Sequence, residues 1–184
     1  MNKLIRIEVN EHIVLKQLEK TDAKELFQRT DDSRDYLREW LPWVDGTTTV
    51  KDSLAFIEHT LESFEAKRGI TFGIFYKEQL TGSISYNSID WTNKIGFIGY
   101  WLSKDYQGLG LMTDAVRALI DYGFYDLGLN RIDIRAAYEN NKSRALPERL
   151  GFIQEGRIRQ TEWLYDHYVD HVIYGMLKND WEKK

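Results

Sequence analysis

The sequence predicts an α/β domain over residues 1–184, with a mixed, mostly antiparallel sheet, one parallel strand pair and flanking helices. Three observations predict it. Thr71 to Tyr76, Gly82 to Ile89 and Ile95 to Leu102 are strand-like runs joined by short links. A glycine-bearing loop, a helix-period run and another strand follow, and such a crossover makes its two strands parallel neighbours. Further helix-period runs precede the first of these strands.

Taken in order, Ile13, Leu15 and Gln17-Leu18 read as a first strand. Asp22, with Glu25 three residues on, marks a helix start. A short helix through Tyr36, Leu37 and Trp40 stops at Leu41, because proline at 42 disfavours helical backbone in the residue before it. Leu54, Ile57, Leu61 and Phe64 recur at helical spacing, ending near Gly69. Lys77-Glu78-Gln79 and Asp90 to Lys94 have hairpin length, so the strands they join are antiparallel. Met112, Ala115, Val116, Leu119 and Ile120 form one helical face, with Gly128 as the stop. Ile132, Ile134 and Ala136 alternate with Arg131, Asp133 and Arg135, the period of a strand. A short helix spans Ser143 to Leu150 and ends at Gly151-Phe152. Two long strands close the chain, Phe152 to Leu164 and Tyr168 to Leu177, joined by a turn around Tyr165-Asp166-His167.

A chain of 184 residues is long enough to bury a hydrophobic core. It has no cysteine, which removes disulfides, thiolate metal sites and cysteine nucleophiles together and fits a reducing cytoplasm. The net charge of −4 weighs against a nucleic-acid partner. No signal-peptide pattern opens the sequence, and no run approaches the roughly 18 apolar residues of a membrane span. A cytoplasmic protein without nucleic-acid or membrane partners is the expectation. The four histidines lack metal-ligand spacing, so no metal is expected. Trp40, Trp43 and Trp91 fall in connections, where they line an acceptor cleft or pack at its edge. Asp31-Asp32-Ser33-Arg34-Asp35 reads as a solvated helix start or as an acidic rim for a cationic acceptor.

The densest signal is Tyr106-Gln107-Gly108-Leu109-Gly110-Leu111-Met112-Thr113. Its two glycines allow a tight turn that aims several N–H groups at one point. The following helix directs its positive dipole end there too, which makes a seat for a pyrophosphate. The loop lies past mid-chain and lacks a third glycine, unlike a dinucleotide fingerprint. It also lacks the Gly-Lys-Ser/Thr of a P-loop. Two glycines at a strand–helix junction also make an ordinary tight turn.

The loop has company. Gln107-Gly108-Leu109-Gly110-Leu111-Met112 resembles the acetyl-coenzyme A signature of the GNAT acetyltransferases. Asn140-Asn141-Lys142-Ser143, followed by Glu148-Arg149-Leu150-Gly151-Phe152, resembles the family's second signature. The order of elements matches over nearly the whole chain. Gly99-Tyr100-Trp101-Leu102, Met112-Thr113, the Ser143-Arg144-Ala145 to Pro147 stretch, Glu155-Gly156 and Glu162 are most similar to the RimJ/RimL-like branch, the ribosomal-protein N-terminal acetyltransferases.

The resemblance implies the GNAT fold, acetyl-CoA as cosubstrate, and transfer of acetyl to a primary amine. The implied acceptor is a protein N-terminus, such as that of a ribosomal protein, with a small amine or a non-catalytic acyl-CoA binder as alternatives. It also points to a homodimer. The pyrophosphate is expected on the N–H groups of Gly108, Leu109, Gly110, Leu111, Met112 and Thr113. Gln107 either adds a side-chain contact or is an exposed loop amide. The family's splayed strand would pair Trp101 and Leu102 with pantetheine. Asn140 either holds a pantetheine amide or only turns the chain. Ser143 is a helix N-cap, a hydrogen-bond donor to the departing sulfur, or both. Pro147 stands where many relatives carry a tyrosine acid, so that donor is missing. Glu162 is the candidate base, if burial raises its pKa, or else an exposed strand carboxylate. Direct attack in a ternary complex is expected, since no activated nucleophile is evident.

Overall fold

The computed structural model describes residues 4–183. Its strands are β1 (Arg6–Glu8), β2 (Ile13–Gln17), β3 (Ile70–Tyr76), β4 (Gln79–Asp90), β5 (Ile95–Leu102), β6 (Arg131–Ala137), β7 (Ile153–Leu164) and β8 (His167–Leu177). Its helices are α1 (Ala23–Asp32), α2 (Arg34–Arg38), α3 (Val50–Glu65), α4 (Leu111–Asp121), α5 (Asn141–Arg149) and α6 (Lys178–Trp181). All eight strands join one sheet, in the order β1-β2-β3-β4-β5-β6-β8-β7. Every neighbouring pair is antiparallel except β5–β6, which is parallel as the crossover requires. The fold class expected from the sequence is thus the one observed.

Two apolar clusters hold the layers together. The larger joins one sheet face, through Phe72, Ile74, Ile84, Tyr86 and Ile132, to α4. The smaller joins Leu18, Ala23, Leu26, Ile57 and Leu80 beneath α1 and α3. The buried face of α4 is Leu111, Ala115, Val116, Leu119 and Ile120. Burial of each large side chain there contributes roughly 1.5–3 kcal/mol.

One buried hydrogen bond positions α4. Tyr86 of β4 is fully buried, and its hydroxyl donates to the Leu119 carbonyl at 2.8 Å. The helix widens just beyond, in a π turn over Tyr122–Asp126 closed by Leu127 N–H to the Tyr122 carbonyl at 3.0 Å. Gly123 lies in that turn, and a Cβ there would collide with the Tyr86 hydroxyl. Both features press the helix closely onto the strand.

Several local expectations change. Asp22 stands at the N-cap position of α1, as expected, but its side chain caps nothing there: its carboxylate turns back to accept the Glu19 N–H at 2.8 Å, closing a capping box on the short turn before the helix. The α4 face begins at buried Leu111, while Met112 is only half-buried. Ser143 is not an N-cap. Asn140 takes that position, and its Oδ1 accepts the Ser143 N–H at 3.1 Å. β1 and α6 have no counterpart in the sequence reading, since each is shorter than one clear period of its pattern.

Tyr86→Phe is expected to cost about 0.5–1.5 kcal/mol, the net worth of one hydrogen bond, because the Leu119 carbonyl keeps the Tyr122 N–H. Gly123→Ala is expected to cost more, through overpacking against the same hydroxyl. Urea denaturation of each variant measures both.

Candidate active site

The site begins where two parallel strands separate. β5 and β6 pair only from Ile95↔Arg131 to Ile98↔Ile134. Beyond that point β5 stays with β4 as far as Gly82↔Leu102, and β6 stays with β8 as far as Ala137↔His171. A wedge opens between them, and the β5 edge from Gly99 to Leu102 faces it without a strand partner. Backbone polar groups in such a position seek another partner.

A cavity of about 720 Å³ fills this wedge. Trp101, Leu102, Gln107, Gly108, Gly110, Leu111, Met112, Thr113, Asn140 and Ser143 all line it. Of the cofactor residues expected from the sequence, Leu109 alone is outside the wall; its side chain points to solvent, 57% exposed. Gly108 and Gly110 adopt φ of +77° and +78°, a region that penalises any side chain. Gly110 is also the N-cap of α4, and no side chain caps that end. The first N–H groups of α4 therefore face the cavity uncapped, at the positive end of the helix dipole.

α5 supplies the opposite wall. Lys142, Leu146 and Arg149 recur at helical spacing and turn toward the cavity beside Ser143. Arg149 donates to the Thr113 hydroxyl at 3.0 Å, which sets a fixed cation next to the α4 N-terminus. An uncapped helix end, two cations and an unpaired strand edge fit the pyrophosphate and the amide arm of coenzyme A. The sequence reading missed Lys142 and Arg149, although their i, i+7 spacing was there to be seen.

The hydroxyl chemistry centres on Ser143. The Tyr100 hydroxyl donates to the Ser143 carbonyl at 3.1 Å and lies 3.4 Å from its Oγ. Burial pushes the Tyr100 phenol up to about 12, against the opposing Ser143 hydrogen bond, so it stays protonated at neutral pH. Pro147 is buried in α5 and is absent from the cavity wall. A phenol thus approaches the site from β5, while α5 presents no hydroxyl from position 147.

A second cavity, of about 380 Å³, lies between α1, α3, β4 and β5. It shares Leu41, Tyr100 and Trp101 with the first, so the two meet at the free end of β5. Trp43 lines the second and Trp40 the first. Trp91 is in neither, and its indole donates to the Lys67 carbonyl at 2.5 Å. Of the two readings of Asp31 to Asp35, the solvated helix start is the one seen. Asp31 pairs with Arg34 at 2.9 Å, Asp32 accepts from Gln28 at 2.7 Å, and neither lines a cavity.

Glu162 lies outside both cavity walls. Its carboxylate is 3.1 Å from His171 Nε2, with 28% of its side chain exposed. An irregularity in the β7–β8 pairing just before it, between Ile158 and Glu162, re-aims the strand. His171 pairs with Ala137, close to the Asn140 turn, so the Glu162–His171 pair shares the wedge end of the sheet. The β7–β8 hairpin is tied over this end. Tyr165 donates to the Leu41 carbonyl at 2.6 Å, and the Arg38 guanidinium stacks 3.9 Å above its ring.

Comparison with known proteins agrees with this geometry. The family model described as Acetyltransferase (GNAT) domain matches residues 12–153. YdaF of Bacillus subtilis (strain 168), named as a candidate ribosomal N-acetyltransferase, is 37% identical over 177 residues, covering 95% of this chain and 96% of its own. The ribosomal-protein-serine acetyltransferase of Escherichia coli (strain K12) is 30% identical over 171 residues, covering 93% and 96%. The crystal structure of the microcin C7 self-immunity acetyltransferase MccE, in complex with acetyl-CoA and AMP, superposes with a TM-score of 0.88. It is 31% identical, covering 92% of this chain and 94% of that one. The chain belongs to the GNAT acetyltransferase family, whose cosubstrate is acetyl-CoA.

Proposed function

We propose that this N-acetyltransferase acts on a protein N-terminus, with a ribosomal protein as the first candidate, by direct attack in a ternary complex. The observation that carries the reading is the meeting of two cavities at the free end of β5. One has the cations and uncapped helix end that suit coenzyme A, and the other is open to an acceptor. The two bacterial relatives named for ribosomal acetylation support the choice of acceptor.

Acetyl-CoA supplies the activated acyl group as a thioester. The amine nitrogen forms a bond to the carbonyl carbon, the carbon–sulfur bond breaks, and the amine loses a proton. An α-amino group, with pKa near 7.7–8.0, is partly neutral at physiological pH, so the base has little work to do. Glu162, paired with His171, takes that proton through water. The Ser143 hydroxyl donates to the departing sulfur, while the Tyr100 hydroxyl, its one proton on the Ser143 carbonyl, fixes the backbone that carries Ser143. The free β5 edge at Trp101 and Leu102 orients the thioester arm, and Asn140 holds the turn that carries Ser143.

Turnover of acetyl-CoA should appear with a panel of peptide N-termini and be weaker with polyamines, amino sugars or antibiotics. Turnover with small amines only would refute the protein acceptor. Glu162→Gln should lower kcat by about 10²-fold with little change in KM for acetyl-CoA. Ser143→Ala should lower kcat about tenfold, the worth of one hydrogen bond made mainly in the transition state. Unchanged kcat in either variant would remove that residue from the chemistry. Gly110→Val should weaken acetyl-CoA binding at least tenfold in isothermal titration, because valine resists the left-handed backbone of the loop.

A further inference from the structure

The second cavity is built without charge. None of its lining residues is Asp, Glu, Lys, Arg or His, whereas the cofactor cavity carries Lys142 and Arg149. Its walls are aromatic, through Trp43, Phe56 and Trp101. The polar groups come chiefly from hydroxyls and from one carboxamide, Asn87.

Asn87 is held in an unusual way. The β4–β5 register shifts between Tyr86 and Ser88, which leaves Asn87 as the extra residue of a β-bulge. Bulges of this kind re-aim a side chain. The Asn87 side chain lies over Gly99 of β5, where any Cβ would collide with its amide nitrogen. The Ser85 hydroxyl donates to Asn87 Oδ1 at 2.6 Å. That bond sets the carboxamide oxygen toward Ser85 and the NH₂ over Gly99 at the edge of β5. The amide nitrogen has no hydrogen-bond partner among the described residues, and Asn87 is exposed at the cavity surface.

The geometry points to Asn87 as a specificity-determining residue: its amide donates to an uncharged oxygen, carbonyl or hydroxyl, borne by the acceptor beside the reacting amine. This rests on the assignment of the second cavity as the acceptor cleft. A carboxamide whose oxygen already accepts one hydrogen bond, and whose nitrogen has none, offers chiefly its two N–H donors. An oxygen lone pair satisfies them, and a second ammonium or guanidinium does not. With no carboxylate in the wall, a cationic group brought into the cavity would lose water and gain no counter-charge. The cleft therefore selects acceptors that are neutral next to their amine and rejects polycations.

The test uses the full chain and peptides alike except at the first residue, which is serine, alanine, lysine or arginine, with spermidine and ethanolamine as small-amine counterparts. KM is read by acetyl-CoA consumption. Kd is read by tryptophan fluorescence of the coenzyme A-loaded protein, which needs no turnover. The native chain should prefer uncharged over cationic acceptors in both readouts. Asn87→Asp keeps the shape but replaces donors by a negative charge. It should raise KM and Kd for uncharged acceptors about tenfold, the equivalent of about 1.4 kcal/mol. It should lower them for cationic ones and leave the acetyl-CoA KM unchanged. Ser85→Ala, which frees the carboxamide to rotate, should weaken uncharged acceptors in the same direction by a smaller factor. A native preference for cations, or a neutral-to-cationic ratio unmoved by both variants, overturns the inference. The ratio can be read on either acceptor class. Turnover of ethanolamine but no peptide would thus defeat the protein acceptor while leaving the role of Asn87 to its own result.

Discussion

The early separation of β5 from β6 is the constraint on which the site depends. The two strands share only four residue pairs before each follows its other neighbour. Strand β5 is bound to β4 over its whole length, and β6 is bound to β8. Neither can turn to close the gap without breaking a longer ladder. The cost is a stretch of unpaired backbone, tolerated because it opens onto a cavity in which a ligand or water can satisfy it. Glycines at 108 and 110 then let the chain leave β5 and start α4 with its N–H groups aimed into the same gap.

The surrounding structure keeps this gap fixed. Tyr86 anchors α4 through the Leu119 carbonyl, and the π turn with Gly123 gives the tyrosine its room. On the other side, Tyr165 ties the β7–β8 hairpin to the Leu41 carbonyl in the connection after α2. The Arg38 guanidinium on the Tyr165 ring reinforces that tie. The two ties involve single donors, yet each joins elements far apart in sequence, so each limits how the walls move relative to one another.

Charge divides the two cavities by role. Cations and a helix dipole gather in the first cavity, while the second is neutral and hydroxyl-lined. Between them stand Tyr100 and Ser143, whose hydroxyl oxygens are 3.4 Å apart. The phenol, held protonated by burial, gives its proton to the Ser143 carbonyl and so fixes the serine hydroxyl at the junction. With proline at 147, the phenol comes from β5 and not from α5.

By itself the sequence determined the repeating elements and the glycine loop. Periods of two and 3.6 reveal β3 to β6, α3 and α4, because burial of one face imposes that spacing on neighbouring residues. The glycine loop is legible for the same reason: its backbone conformation is a local property of Gly108 and Gly110. Cap choice is local too, yet the reading erred at Ser143, since Asn140 and Ser143 are both good caps and only the turn geometry picks one. Tertiary structure alone decided the rest. Tyr100 meets Ser143 across 43 residues, and Tyr165 meets Leu41 across 124. The second cavity gathers α1, α3, β4 and β5, and Asn87 enters it through a bulge. Such contacts depend on which elements pack together and in what register, and that information is spread over the whole chain and not written in any one segment.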